Sequence, residues 1–455
     1  MFVEKIKSEG LAHLSWMIGG DGEAAVIDPR RDCDVYIERA AALGCRITHV
    51  FETHRNEDLL SGARVLAERT GAKVWHGPNA AGEIPYADTV REGDVFEIGS
   101  VRIRVLETPG HTDDSLSFAY FDPDFGEEAV GVFTGDTLFV GDVGRTDFYP
   151  ERKREVAGLL YDSLQKLLAL GDQAVIHPAH GAGSVCGDAM ADREVSTIGY
   201  ERANNPRLQI DDRERFIDAK VAEHHRQPPY FRYMEAGNLE GAAPIDRPLQ
   251  PAALDAAAFE ASSDGPVVLD VRSASAWLGA HLPGSLAIPE GMIASFAGWL
   301  LAPDDELVLV AETADQAERA ARSLARIGFD RVRGFLVPSL PGWAAAGHRF
   351  DRVQVIDTAE VKRRVDDSSA WTLLDVRDDN EVEAGRVSGA VHAYVGELPD
   401  RLDSLDRDRR YTVMCGSGSR ATIGASILLR GGFKDVDLYL GSFAAWAGHD
   451  LETVD

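Results

Sequence analysis

Short apolar runs alternate with helical patterns through the first ~240 residues, the rhythm of a chain that builds layered sheets and helices. EAAVIDP predicts a strand and CDVYIERAAALG a helix; ITHVFET predicts a strand and LLSGARVLAERTG a helix. VRIRVLETPGH, SLSFAYF and AVGVFTGD predict three more strands. REVAGLLYDSLQKLLALG predicts a helix closing at Gly171, and QAVIHPAHG a strand with its loop. Several histidine- and aspartate-bearing segments fall just after predicted strands, where ligand-binding loops gather in sheet folds. From Arg226 to Pro251 the chain is rich in Pro and Gly and has no sustained period, which predicts a linker.

Beyond that stretch the chain repeats at a spacing near 104 residues. VVLDVRSASAW (Val267 to Trp277) answers to TLLDVRDDNEV (Thr372 to Val382), HLPGSLAI to RVSGAVHA, and Gly328-Phe329 to Gly432-Phe433. Each copy has the length and β/α alternation of one small parallel-sheet domain. The reading is three domains, at 1–240, 251–351 and 352–455.

Composition narrows the function classes. The chain has 455 residues, 44% hydrophobic and 27% charged, which is enough apolar material for several cores. A net charge of -28 argues against nucleic acid and anionic membranes as partners. No run approaches the ~18 to 20 apolar residues that span a bilayer, and the first twenty residues lack a basic segment followed by an apolar one. The four cysteines, Cys33, Cys45, Cys186 and Cys415, are too few for a disulfide scaffold. A reducing, cytoplasmic setting is expected; the charge does not forbid a homo-oligomer. Cys33 and Cys45 flank a predicted amphipathic helix and read as packing residues.

The chemistry lies in four pieces: His54 in ETHRNED, His111 in ETPGHTDDS, Asp136 in FTGDTLF and His180 in HPAHG. One histidine after a strand is most often structural; four such pieces in this order resemble the metallo-β-lactamase superfamily over roughly residues 1–240. That resemblance implies an αββα sandwich. The superfamily's motif is T-H-x-H-x-D-H, and here Asn56 and Leu59 stand in two of its histidine places. In the binuclear zinc hydrolases of the superfamily each metal needs one of those two positions. Intact are His54, His111 and Asp136, two imidazoles and a carboxylate, the facial set that suits non-haem Fe(II) and oxygen chemistry. The resemblance thereby sharpens to the persulfide dioxygenases, which hold one Fe(II) per chain with the residues matching these three. It implies supporting places for Asp58 and His180, orienting ligands or substrate. VGRTDF resembles the same family and offers Arg145 and Asp147 as pocket-shaping residues, with a structural Arg–Asp pair as the alternative. In HGAGSVCGD, Cys186 sits in a glycine-rich loop, either as a substrate-proximal thiol or as a buried filler.

The third domain carries a second signal. YTVMCGSGSRATIGASILLRGGF predicts a strand, a glycine-rich loop and a helix. The loop runs Cys415-Gly416-Ser417-Gly418-Ser419-Arg420. Backbone N–H groups around the sulfur, a helix N-terminus and Arg420 all favour a thiolate and an anionic ligand. This resembles the rhodanese sulfurtransferases, with parallel-sheet α/β folds, and extends to Asp375-Val376-Arg377 and the closing GSFAAW. Many of them place Arg directly after the cysteine, where this chain has Gly416. In the middle copy, Cys415 aligns with Ala311 and Arg420 with Gln316, so that copy resembles an inactive rhodanese.

Together these resemblances imply a persulfide dioxygenase joined to an inactive and an active rhodanese domain. The implied partners are a low-molecular-weight thiol persulfide, O2, and sulfite or thiosulfate. Two alternatives stand beside this reading: a zinc-dependent glyoxalase-II-type thioester hydrolase, and a sulfur-trafficking rhodanese whose metal domain is structural.

Overall fold

In the computed structural model, which describes residues 1–79, 82–184, 186–187, 190–245, 249–367, 371–449 and 453–454, the chain divides into two compact units. One is built on Met1–Asp246, with the short segment Arg326–Gly328; the other on Arg247–Ala325 and Phe329–Asp455. Positions 185 and 188 of the loop around Cys186, 246–248 of the expected linker and the final residue 455 lie outside the described residues.

The first unit holds two six-stranded sheets. The first runs in chain order: β1 (Phe2–Ser8), β2 (His13–Gly20), β3 (Glu23–Ile27), β4 (Arg46–Phe51), β5 (Lys73–His76) and β6 (Asp88–Thr89). It opens antiparallel and becomes parallel from β3 onward. The second contains β7 (Val95–Ile98), β8 (Val101–Glu107), β9 (Leu116–Phe121), β10 (Gly131–Gly135), β11 (Val175–Pro178) and β12 (Ser196–Thr197), again ordered along the chain. All its pairings are antiparallel except β10 with β11.

Between the sheets lies an apolar layer that includes Trp16, Ile18, Ile27 and Phe51 from the first and Ile103, Val105, Phe118 and Phe133 from the second. The outer face of the first sheet packs Met17, Val26 and Val50 against Tyr36 and Leu66 of the helices Asp34–Ala42 and Ala63–Thr70. The outer face of the second packs Ala119 and Val132 against Leu160, Leu164 and Leu167 of the helix Lys153–Leu168. Strands covered on both faces must be apolar throughout, and β9 and β10 are buried at every position. The result is the expected αββα sandwich. Each fully buried Val, Leu or Phe of these layers contributes about 1.5–3 kcal/mol.

Three local expectations are corrected. The helix predicted from Leu59 begins only at Ala63, because the main chain at Leu59 is held in the preceding loop by a side chain of another helix. The helix predicted to reach Gly171 ends at Leu168, and Gly171, at φ +102°, turns the chain toward β11 instead. The stretch read as a linker contains the helix Phe231–Glu240, which buries Phe231, Met234 and Asn238.

The second unit contains two parallel sheets with one topology. β13 (Ala252–Leu254), β14 (Val267–Asp270), β15 (Leu286–Ala287), β16 (Leu307–Val310) and β17 (Val332–Leu336) are ordered β13-β17-β16-β14-β15. β18 (Gln354–Ile356), β19 (Trp371–Asp375), β21 (Val391–His392), β22 (Arg410–Met414) and β23 (Val436–Tyr439) are ordered β18-β23-β22-β19-β21, with β20 (Arg386–Val387) outside that sheet. The sequence repeat is thus a structural repeat. Asp270 pairs with Val310 and Asp375 with Met414, so Ala311 and Cys415 occupy the same place after equivalent strands.

Candidate metal centre and sulfur-transfer loop

Four loops of the first unit converge because each follows the C-terminal end of a buried strand. His54 follows β4, His111 follows β8, Asp136 follows β10 and His180 follows β11. Gly135, at φ +51°, lets the chain turn into Asp136, and any Cβ there would come within 2.7 Å of the Thr53 side chain. All four side chains are buried. Nε2 of His111 lies 3.5 Å and Nε2 of His54 3.8 Å from Oδ2 of Asp136. The three ligand atoms lie within 4.8 Å of one another. Both Nε2 atoms are buried; that of His54 has no hydrogen-bond partner, an arrangement costly for a polar group unless a cation fills it, and that of His111 faces a carboxylate of the His54 loop. The donor set fits one metal ion.

The other ring nitrogens fix the tautomers. Nδ1 of His111 lies 3.0 Å from the carbonyl oxygen of Arg145. A carbonyl only accepts, so Nδ1 carries a proton, which leaves Nε2 as the nitrogen that can bind a metal. Nδ1 of His54 lies 2.8 Å from Oγ1 of Thr53, which itself donates to Oδ2 of Asp28 at 2.8 Å. That hydroxyl therefore accepts from His54 and leaves its Nε2 open too. Thr53 N–H also donates to Asp28 at 2.7 Å. Burial pushes the Asp28 carboxyl up to about 7 even against these bonds.

Nδ1 of His180 donates to Asp136, 2.8 and 3.0 Å from its two oxygens, and Nε2 lies 3.1 Å from Oδ2 of Asp58. Burial pulls His54 down. Burial acts the same way on His111, but the Glu57 carboxylate outweighs it and raises the ring. Burial alone would raise Asp136; His180, His54 and His111 together hold it far below the usual carboxylate range.

Glu57 had no place in the sequence reading. Its Oε1 stands 3.0 Å from Nε2 of His111, and its Oε2 is 3.9 Å from Nε2 of His54. The one available signal was an acid three residues after His54 in the same loop. Asn56 turns Nδ2 to the His54 carbonyl at 3.4 Å, and Leu59 is buried and apolar. Asn238 ties this loop down. Its Oδ1 accepts from Ser61 N–H at 2.8 Å, and its Nδ2 donates to the carbonyls of Asn56 and Leu59 at 2.7 and 2.8 Å.

Cys186 is fully buried, 3.6 Å from Glu57 Oε1 and 3.8 Å from Asp58 Oδ2. Burial drives its thiol well above the ordinary range. Asp58, His180 and Cys186 form a second group of donors within 4.8 Å. Arg145 and Asp147 make a two-pronged pair at 2.6 and 2.7 Å, with the arginine side chain only 1% exposed. Arg145 thus braces its loop from within. Cys33 is buried and Cys45 half-buried, and both are free thiols.

In the second unit, Cys415 directly follows β22 and is 1% exposed. Gly418 N–H donates to its sulfur at 3.0 Å, and Cys415 N–H donates to Ser442 Oγ at 3.1 Å. Gly418, at φ +100°, bends the loop over the sulfur before the helix Ser419–Arg430. Ser417 and Ser419 complete the six-residue turn. Arg420 does not stand free: its Nη2 donates to Oε1 of Glu381 at 2.8 Å, with Nη1 bonded to the other oxygen. Asp375 and Arg377 form a buried pair at 2.7 Å, and Asp270 and Arg272 form its twin at 2.6 Å in the copy without cysteine. That pair builds the fold in both copies.

The model of the metallo-beta-lactamase superfamily matches residues 9–180, and that of the rhodanese-like domain matches 253–346 and 357–449. A hydroxyacylglutathione hydrolase of Rhodospirillum rubrum is 35% identical over 160 residues, 35% of this chain and 57% of the relative. The chain spans about half the length of such curated relatives. The putative sulfurtransferase YtwF of Bacillus subtilis is 35% identical over 96 residues, 21% of this chain and 92% of the relative. A metallo-beta-lactamase structure from Staphylococcus aureus is 30% identical with TM-score 0.66, covering 74% of this chain and 98% of its own. Among the described residues no helix is long and apolar enough to cross a membrane. The chain belongs to the metallo-β-lactamase superfamily, its metallo-β-lactamase domain followed by two rhodanese-like domains.

Proposed function

We propose that this chain is a persulfide dioxygenase fused to a working rhodanese, with boundaries at 1–240, 251–351 and 352–455. His54, His111 and Asp136 would hold one Fe(II), which supplies the redox chemistry that lets a persulfide react with O2. The overall change balances as R–S–S⁻ + O2 + H2O giving R–SH, SO3²⁻ and H⁺. The observation that supports this reading is the donor set: the buried Nε2 atoms of His54 and His111 converging with the Asp136 carboxylate, with Asn56 and Leu59 where a binuclear hydrolase needs ligands. His180 and Asp58 orient Asp136, and Glu57 is placed to take or give a proton beside the ligand histidines.

Cys415 would accept the outer sulfur of a persulfide or of thiosulfate in the loop Gly416-Ser417-Gly418-Ser419. Sulfite and the Cys415 persulfide combine to thiosulfate, and the same loop runs the reverse. The middle domain, with Ala311 and Gln316, takes no part in the transfer. The partners are a small thiol persulfide, O2 and sulfite or thiosulfate, in the cytoplasm.

A second reading, a zinc thioester hydrolase, draws on the hydroxyacylglutathione hydrolase relatives and on the extra donor group Asp58, His180 and Cys186. One experiment separates the two. Protein loaded with Fe(II) is expected to consume O2 on addition of a small persulfide, and His111→Ala is expected to abolish it. Thioester turnover by zinc-loaded protein without O2 uptake by the iron form would reverse the choice.

A further inference from the structure

The two rhodanese-like copies provide an internal control on which residues accompany the nucleophile. The buried pair Asp375–Arg377 recurs as Asp270–Arg272, so it belongs to the fold. Arg420 and Glu381 behave differently. In the copy with Ala311, Arg420 is Gln316; counted from the shared Asp-Val-Arg, Glu381 is Ala276. Nucleophile, arginine and its carboxylate disappear together. The pair also stands over the sulfur loop: a Cβ on Gly416, next to Cys415, would lie 3.0 Å from Arg420 Nη2 and 3.4 Å from Glu381 Oε1. The nearby guanidinium of Arg377 is occupied by Asp375 and by the carbonyls of Glu381 and Gly385. No arginine follows the cysteine, since that place is Gly416.

We infer that Glu381 is a specificity-setting residue for Cys415: by clamping Arg420 it cancels the loop's one cation and favours a singly charged or neutral persulfide over the thiosulfate dianion. This rests on the sulfur-transfer reading of Cys415. With a persulfide R–S–SH, the Cys415 thiolate attacks the outer sulfur, an S–S bond forms on Cys415 as the donor's S–S bond breaks, and R–SH leaves with the proton. With thiosulfate the same attack forms the S–S bond on Cys415 as the donor's S–S bond breaks, and sulfite leaves with the electron pair. Thiosulfate brings two more negative charges into the loop than R–S–SH, and one more than R–S–S⁻, and gains most from a freed Arg420.

The test reads the charge at the sulfur without relying on turnover. In the full chain, alkylation of Cys415 by anionic iodoacetate and neutral iodoacetamide is followed by mass spectrometry of its peptide. Glu381→Gln is expected to raise the iodoacetate-to-iodoacetamide rate ratio roughly tenfold, the scale of one charge at this range. Glu381→Asp should stay near the starting value, and the thiosulfate-to-persulfide kcat/KM ratio should rise in parallel with Glu381→Gln. Should that variant not fold, Arg420→Gln reads the same charge in reverse and should lower the ratio. An unchanged ratio, or both rates falling together, overturns the inference. A raised alkylation ratio in a protein that accepts sulfur from neither donor would instead remove the sulfur-transfer reading and leave the charge assignment standing.

Discussion

Nδ1 of His111 points at the main-chain carbonyl of Arg145 from 3.0 Å, and that one contact decides which face of the ring is free to bind a metal. The carbonyl's own position depends on the Arg145 side chain, which is buried and forked onto Asp147 at 2.6 and 2.7 Å. A surface ion pair would contribute little; this one carries the loop that aims His111.

Replacing Asp147 by Asn should therefore destabilise the first unit in a pH-dependent way. Burial raises the Asp147 carboxyl, but the Arg145 bonds win and bring it down to about 2 from an ordinary 3.8. A depressed carboxyl stabilises the fold above its unfolded value and loses that contribution as the pH falls. The deficit of Asp147→Asn should be about 2 kcal/mol at pH 7 and shrink as pH falls from about 4 toward 2. Thermal melts at pH 7 and pH 3 check this; an equal gap at both would mean the charge is not the cause.

Asn238→Ala removes three buried bonds to the His54 loop. With each orphaned backbone group costing about 1–3 kcal/mol, a loss on the order of 3 kcal/mol is expected. Hydrogen exchange should quicken in residues 56–62 before the sheets, and metal affinity should fall with it.

Periodicity revealed what lies along the backbone and missed what crosses between loops. His54, His111 and Asp136 were visible because each follows an apolar run, and Ala311 because the repeat near 104 residues aligns it with Cys415. The helix Phe231–Glu240 was hidden: FRYMEAGNLE follows two prolines and buries only Phe231, Met234 and Asn238, too few positions to reveal a period. Glu57, Asp28 and the Glu381 clamp on Arg420 were equally hidden. Each acts through a side-chain contact, and for Asp28 and Glu381 the partner lies 25 to 39 positions away. Such contacts are created by folding and leave no trace in local pattern.

His180 should matter through Asp136. Its Nδ1 proton holds both carboxylate oxygens, and removing such a partner typically lowers metal affinity 10- to 100-fold. His180→Asn should show that loss in equilibrium dialysis against Fe(II), with the fold intact by circular dichroism. Wild-type affinity would mean that Asp136 is held by its own backbone alone.

Cys415→Ser should abolish sulfur transfer while sparing O2 uptake, because Ala311 occupies the equivalent strand end of the other copy and carries no sulfur. Sulfane sulfur transfer to a thiol and O2 consumption, measured on the same preparation, give the answer. Loss of both activities would show that the two chemistries are linked.

Metal binding should stabilise one unit and leave the other where it is. Three buried donors brought together by the fold bind a cation only in the folded state, so the gain follows mass action: about 2.7 kcal/mol at a free metal concentration 100 times Kd. For a unit of this size that corresponds to roughly 5–10 °C in Tm. Calorimetry of Fe(II)-loaded protein under argon should show that shift in one transition, reversed by a chelator and missing in His111→Ala. Cys415→Ser should show the full shift, since its side chain belongs to the unit that holds none of these donors. A shift that survives in His111→Ala would mean the metal is held elsewhere, with Asp58, His180 and Cys186 the next group to test.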